Sequence, residues 1–166
     1  MSKSSSTTNN YRFVALIKFH NCITFGFTVM EFEFYDQTFT KENLDIQNLG
    51  KQYELCHFEA CNLEGANLSK IAFIDCTFSH CNLSLATLEG TAFKSVNFQD
   101  CKLMGLRWDR CDPFLFEINA QKSVFNLSVF YKMKMTKLNM AECSFKEVDF
   151  GEADLSESVF KDCDFL

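Results

Sequence analysis

Proline and tryptophan each occur once in this chain and glycine six times in 166 residues. With so few glycines there is neither a collagen-like repeat nor a glycine-rich loop to cradle a phosphate. Long apolar runs are also missing. The stretch Phe13–Ile17 is broken by Lys18, His20 and Asn21, which leaves neither a membrane span nor a convincing signal peptide to read. Basic charge is short as well, with sixteen Lys and Arg against twenty-two Asp and Glu for a net charge of −6. That balance argues against a dedicated nucleic-acid binder with a basic face. With no export signal to read, the expected compartment is the cytoplasm, where thiols stay reduced. The nine cysteines then need a reason other than disulfides.

What the chain has is twenty phenylalanines, a hydrophobic fraction of 47%, and a period. The length suits one domain with a buried core. Stepping by five from Phe58 gives Leu63, Leu68, Phe73, Phe78, Leu83, Leu88, Phe93, Phe98, Leu103 and Trp108, eleven large apolar centres without a miss. Two residues before each centre the side chains are mostly small, and Asn or Asp often precedes the centre directly (Asn62, Asn67, Asn82, Asn97, Asp149, Asp154, Asp164). A second block keeps the step in a shifted phase: Phe125, Phe130, Met135, Met140, Phe145, Phe150, Leu155, Phe160 and Phe165. An internal repeat outranks local propensity.

A five-residue step fits neither a helix nor a flat strand. It fits a short extended side followed by a corner, with two side chains pointing inwards per unit. Centres ten apart between 58 and 108 never match, those fifteen apart match in four of eight pairs, and those twenty apart match in six of seven. Four sides per coil is therefore the expected architecture. Residues twenty apart should stack at one strand spacing, about 4.8 Å, so that Phe lies on Phe and Leu on Leu. The units C-N-L-E-G, A-N-L-S-K and E-A-D-L-S resemble the pentapeptide repeat family. The resemblance covers residues 39 to 166 and implies an all-β fold, a right-handed quadrilateral β-helix, here a solenoid of about six four-sided coils. The handedness comes from the family alone.

Eight of the nine cysteines (Cys56, Cys61, Cys76, Cys81, Cys101, Cys111, Cys143, Cys163) fall at the small inward position. Zinc needs four ligands converging tetrahedrally, whereas stacked thiols point in parallel into an apolar interior, so packing is the expected role. The N-x-S triplets at Asn67, Asn82 and Asn126 are the wording of the repeat.

The step fails between Trp108 and Phe125, where Pro113 occupies a centre and the phase moves by two residues to Ala120. A phase break over residues 109–124 implies a bulge at which Phe114, Leu115 and Phe116 need cover, because proline cannot donate to an inter-coil ladder. Small Ala120 implies a local cavity or an inward-folding Phe116. Ahead of the repeat, residues 1–12 read as a disordered tail. Residues 13–38 read as an irregular capping segment with short strands, and a start at Met30 is the alternative to counting residues 1–29 in the product.

No catalytic constellation emerges. His80 stacks one coil from Asp100, but no nucleophile accompanies the pair, His20 and His57 stand apart, and a filled coil has no cleft. No enzyme, cofactor or metal is expected, nor direct contact with nucleic acid or membrane. Twenty-residue stacking sets Glu142 over Lys122, Glu152 over Lys132, Asp154 over Lys134 and Glu157 over Lys137, leaving Glu147, Asp149, Asp162 and Asp164 over. Together with Phe114 and Phe116 these four acids are the candidate partner-binding residues. The leading expectation is a non-catalytic rod presenting its sides to an unknown protein. The alternative comes from the resemblance: some pentapeptide repeat proteins protect DNA gyrase and topoisomerase IV from quinolones or toxins by imitating a DNA duplex. The modest charge and the interruption at Lys122–Lys137 weigh against it here. The edge of the last coil is expected to support at most a weak homodimer, because Asp162 and Asp164 would meet across it.

Overall fold

The computed structural model describes residues 33–166. The expectations for the tail at 1–12, for the cap as far as residue 32, for Met30, and for His20 and Cys22 lie outside the described residues. Eleven short strands follow in order: β1 (Glu33–Tyr35), β2 (Thr38–Thr40), β3 (Gln52–Glu54), β4 (His57–Glu59), β5 (Ala72–Ile74), β6 (Thr77–Ser79), β7 (Ala92–Lys94), β8 (Val96–Gln99), β9 (Ile118–Gln121), β10 (Asn139–Ala141) and β11 (Val159–Lys161). One side of the coil is a four-stranded parallel sheet, β1-β3-β5-β7, and the next a seven-stranded one, β2-β4-β6-β8-β9-β10-β11. A third side is held by single parallel bridges joining Asn62, Asn82, Lys102, Val124, Ser144 and Asp164. Bridges from Asn67 to Thr87 and from Arg107 through Val129 to Asp149 hold the fourth. The fold is an all-β, four-sided solenoid.

The register follows the twenty-residue count where the sequence is regular. Phe58 pairs with Phe78 and Phe78 with Phe98, and the neighbouring side pairs Tyr53, Phe73 and Phe93. The first turn is one residue short, since Phe39 pairs with Phe58 and Phe34 with Tyr53 (39 to 58, 34 to 53). Inside, rings stack along the axis and meet edge to face across adjacent sides, Phe73 lying 5.3 Å from Phe78 at 72°. These rings are fully buried. Each contributes roughly 1.5–3 kcal/mol through burial, and each aromatic pair about 0.5–1.5 kcal/mol more.

Most corners share one backbone device. The second residue after the centre takes positive φ in nineteen non-glycine residues such as Leu55, Lys70 and Glu147 and in Gly65, Gly90 and Gly105, but not in Lys41 after Phe39 or Arg110 after Trp108. A left-handed non-glycine residue costs roughly 1–2 kcal/mol. The conformation persists because the corner N–H still enters the ladder: Leu55 donates to Ile74 O at 3.0 Å and Lys70 to Glu89 O at 3.0 Å.

The small inward residues satisfy the backbone at the same corners. Thr91 Oγ1 donates to Leu68 O at 2.8 Å, Cys76 Sγ to Tyr53 O at 3.3 Å and Cys81 Sγ to Phe58 O at 3.3 Å. Each bond runs from a small residue to a centre in the coil below. The same atoms also accept, as when Cys61 N–H donates to Cys81 Sγ at 3.3 Å and Leu106 N–H to Ser128 Oγ at 3.1 Å. A thiol or hydroxyl therefore suits this position better than alanine, because it adds a hydrogen-bond partner for buried backbone groups at the corner. Hydrogen bonding from Cys56, with burial second, pushes the Cys76 thiol up, and burial above all, with a smaller contribution from Cys163, raises Cys143 to about 11. Among the described residues no group of three or more His, Cys, Asp or Glu is placed to hold a metal ion, and no helix is long and apolar enough to cross a membrane.

Candidate interaction surface

The repeat is interrupted where the step breaks. A 3-10 turn at Trp108–Arg110 replaces the usual corner. Asp112 N–H then donates to Thr91 O at 2.9 Å and Glu117 N–H to Phe93 O at 3.0 Å. The coil is thus hooked on at two points, Thr91 just before β7 and Phe93 within it, with Pro113–Phe116 standing out between them as a loop. The four-stranded sheet ends at β7 for this reason. Beyond the loop the ladder resumes with the two extra residues absorbed, Ala120 pairing with Phe98 (98 to 120, against 78 to 98 below).

Three contacts shape the loop. Asp112 Oδ1 accepts the N–H of Phe114 at 2.9 Å, Leu115 takes positive φ at 58°, and Lys94 Nζ lies 5.1 Å from the centroid of Phe114. Phe116 turns towards the core, its ring edge-on to Trp108 at 6.1 Å. Phe114 and Leu115 each remain 65% exposed. Ala92, at an outward position of β7, is nevertheless buried, as expected beneath a loop attached on either side of it.

Trp108 occupies a column that otherwise holds leucine and phenylalanine, and Ala120 stands between Phe98 and Met140 in a column that is otherwise mostly phenylalanine. The indole lies 5.3 Å from Phe93, 6.0 Å from Phe98 and 5.5 Å from Phe130, so the extra ring and the missing ring fall in the same stretch of core. Its Nε1 is buried without a hydrogen-bond partner, a deficit of about 1–3 kcal/mol.

The candidate acids do not join this loop. Glu147 and Asp162 are corner residues with φ of 56° and 54°. Asp149 and Asp164 lie on the two bridge-held sides, and each turns its carboxylate back onto the backbone two residues on: Asp149 Oδ1 accepts from Gly151 N–H at 2.8 Å and Asp164 Oδ1 from Leu166 N–H at 3.1 Å. Asp164 also pairs with Lys146 at 2.9 Å, an acid that stacking by twenty had left over. Of the four expected lysine pairs, Lys132–Glu152 closes at 3.5 Å and Lys137–Glu157 at 4.0 Å. Glu142 instead accepts from Gln121 Nε2 at 3.3 Å.

Asp109 was not singled out by sequence reasoning. Arg107 grips it at 2.7 Å and Arg110 lies at 3.6 Å, with the carboxylate side chain only 10% exposed. The hydrogen bond from Arg107 holds its pKa below the usual carboxylate value. The polar row on the seven-stranded side was also missed. Its signal was legible: V-N-F-Q at 96–99, I-N-A-Q at 118–121 and L-N-M-A at 138–141. The two histidines described have no catalytic company. His57 Nε2 meets Glu59 Oε2 at 3.1 Å, and His80 is a corner with φ of 55°.

Residues 51–114 match the family described as pentapeptide repeat region, and residues 119–165 match pentapeptide repeats (8 copies). The two spans together cover 64 and 47 residues, 111 of 166. Among solved structures the chain is similar to QnrB1, a plasmid-mediated fluoroquinolone resistance protein, at 16% identity over 77% of this chain and 93% of that one, with a TM-score of 0.37. It is also similar to the pentapeptide repeat protein Rfr23 from the cyanobacterium Cyanothece 51142, at 10% identity over 81% and 84% of the two chains and a TM-score of 0.29. A third is HetL from Nostoc sp. strain PCC 7120, involved in heterocyst differentiation regulation, at 10% identity over 81% and 85% and a TM-score of 0.29. No curated protein matches the chain.

Proposed function

This chain belongs to the pentapeptide repeat family, and we propose that it is a non-catalytic rod that docks a protein partner through the loop Pro113–Phe116. The observation that carries the reading is the pair Phe114 and Leu115, each 65% exposed on a segment whose ends are tied into the ladder. An apolar tip held on a rigid scaffold loses little entropy on binding, and buried aromatic anchors dominate interface energies. Among the described residues the interior is filled by stacked rings. The test is the double variant Phe114→Ser with Leu115→Ser. Cross-linking in extract of the native cell should trap a partner with the unchanged chain and lose it with the variant, while the melting temperature stays put. Equal capture by both would overturn the assignment.

A second reading, protection of DNA gyrase or topoisomerase IV by imitation of a duplex, draws on the exposed acids Glu147, Asp149 and Asp162 and the net charge of −6. Pairing of Asp164 with Lys146 and a side without charge along β6, β8 and β9 reduce its likeness to a duplex, which is charged all round. A supercoiling assay with quinolone present decides it, since a chain that leaves inhibition unchanged at every ratio to gyrase is not a protector.

A further inference from the structure

Asparagine in this fold usually has a structural duty. Asn62, Asn67 and Asn82 each accept a hydrogen bond from the N–H two residues on, at 3.1–3.3 Å, and so brace the corner that follows. Asp112, Asp149, Asp154 and Asp164 do the same. The residues at the equivalent position on the seven-stranded side behave differently. Asn97, Asn119 and Asn139 lie within strands β8, β9 and β10, and none braces a corner. Asn119 Oδ1 accepts from Asn139 N–H at 3.1 Å and Gln121 Nε2 donates to Glu142. The carboxamides of Asn97, Gln99 and Asn139 have no use in the fold.

These five carboxamides line a shallow hollow of about 430 Å³ with Thr77, Ala141 and Val159. It opens over Ala120, where the inward column Phe58, Phe78, Phe98 loses its ring. Strands β6, β8, β9 and β10 present no charged side chain on this surface, and Lys161 alone brings a charge to the rim. A nucleic acid or an acidic peptide, charged along its length, would find Lys161 as its one counter-charge among the lining residues. A neutral ligand that donates and accepts along its length would be matched, because each carboxamide offers an NH2 donor beside an oxygen acceptor. The side chains recur once per coil, about 4.8 Å apart, and a linear glycan of pyranose units advances by a comparable step.

We propose that the hollow on the seven-stranded side binds a neutral, linear oligosaccharide of two or three pyranose units laid along the rod axis. Asn97, Asn119 and Asn139 would grip one edge of the sugar chain and Gln99 and Gln121 the other, each carboxamide spanning a pair of vicinal hydroxyls. Ala141, at an outward position of β10, supplies an apolar contact for a ring face. The site is independent of the Phe114 loop, which lies on the adjacent side. Isothermal titration with cellohexaose and chitohexaose, with heparin as the anionic control, reads it directly. Saturable binding to one neutral hexasaccharide is expected. Asn97→Ala with Gln99→Ala, neither carboxamide being hydrogen-bonded within the fold, should weaken it about tenfold, and Phe114→Ser with Leu115→Ser should leave it unchanged. No heat with either neutral probe, undiminished binding by the Asn97/Gln99 variant, or binding to heparin alone would each overturn the proposal.

Discussion

Phe58 and Phe78, twenty residues apart, lie face to face with ring centroids 4.4 Å apart and planes 7° from parallel. Phe98 continues the stack at 5.2 Å, so Phe78 is covered on both faces. Removing it should open a cavity between two rings, and Phe78→Ala is expected to lose about 3–5 kcal/mol. The exposed corner change Glu89→Ala should stay within about 0.5 kcal/mol. Urea midpoints for the two variants make the comparison, and equal losses would contradict the inward assignment of Phe78.

Thr91 tests the corner hydrogen bonds. Its hydroxyl is buried and donates to Leu68 O at 2.8 Å. Thr91→Val keeps the shape but deletes that bond, leaving Leu68 O with the N–H of Ile71 at 3.2 Å, which should lose about 0.5–1.5 kcal/mol. Exposed Thr87→Val should be near neutral by the same measurement. A neutral Thr91→Val would mean that the small inward residues act by volume only.

The acid limb of stability should report the ion pairs. The side-chain hydrogen bond from Lys146, then the backbone bond from Leu166, lowers the pKa of Asp164, and Arg107 lowers that of Asp109. A depressed folded-state pKa gives stability that is complete above the unfolded value of about 3.9 and lost as the pH falls through the folded one. The melting temperature should therefore hold down to about pH 4 and fall below it, and Lys146→Met should flatten part of that fall. An unchanged acid limb in Lys146→Met would remove Asp164 from the account.

Leu127 holds positive φ at 62° with its side chain in solvent, while its N–H donates to Lys146 O at 2.9 Å. Glycine keeps that bond and removes the left-handed strain of roughly 1–2 kcal/mol, against an entropic penalty of about 0.5–1 kcal/mol. Leu127→Gly is expected to be neutral or slightly stabilising in thermal melts. A clear loss would show that the exposed leucine packs on the corner.

The thiols should separate by depth. Cys163 is half-buried, whereas Cys76 and Cys111 are buried and both held above the ordinary thiol value, Cys111 by burial. Mass-spectrometric mapping of alkylation in the native protein should find Cys163 modified first among the described cysteines, with Cys76 and Cys111 reacting only on unfolding. Early labelling of Cys76 would contradict its place in the core.

Much of this fold was open to reading because the solenoid converts sequence distance directly into spatial distance. A side chain stacks on the one twenty residues on, so the match of Phe58 with Phe78 or of Leu63 with Leu83 already specified the number of sides, the inward columns and the place of the cysteines. The break was legible for the same reason: Pro113 at a centre and a shift of two residues to Ala120 had to leave a loop. Binary pattern and period decide these features without reference to any particular contact.

Tertiary structure decided what each polar side chain does, because a five-residue period says which side a residue occupies and nothing about its rotamer or its backbone. Asn82 and Asn97 hold the same place in the repeat. Asn82 precedes a turn and braces it, whereas Asn97 lies in a strand that needs no brace. Stacking by twenty paired Lys122 with Glu142, yet the carboxylate took Gln121, and Asp164, left over in that count, closed onto Lys146, eighteen residues before it. Long flexible side chains reach diagonally, and small differences in free energy at an exposed surface choose among several neighbours. Rings confined in a filled core have no such choice.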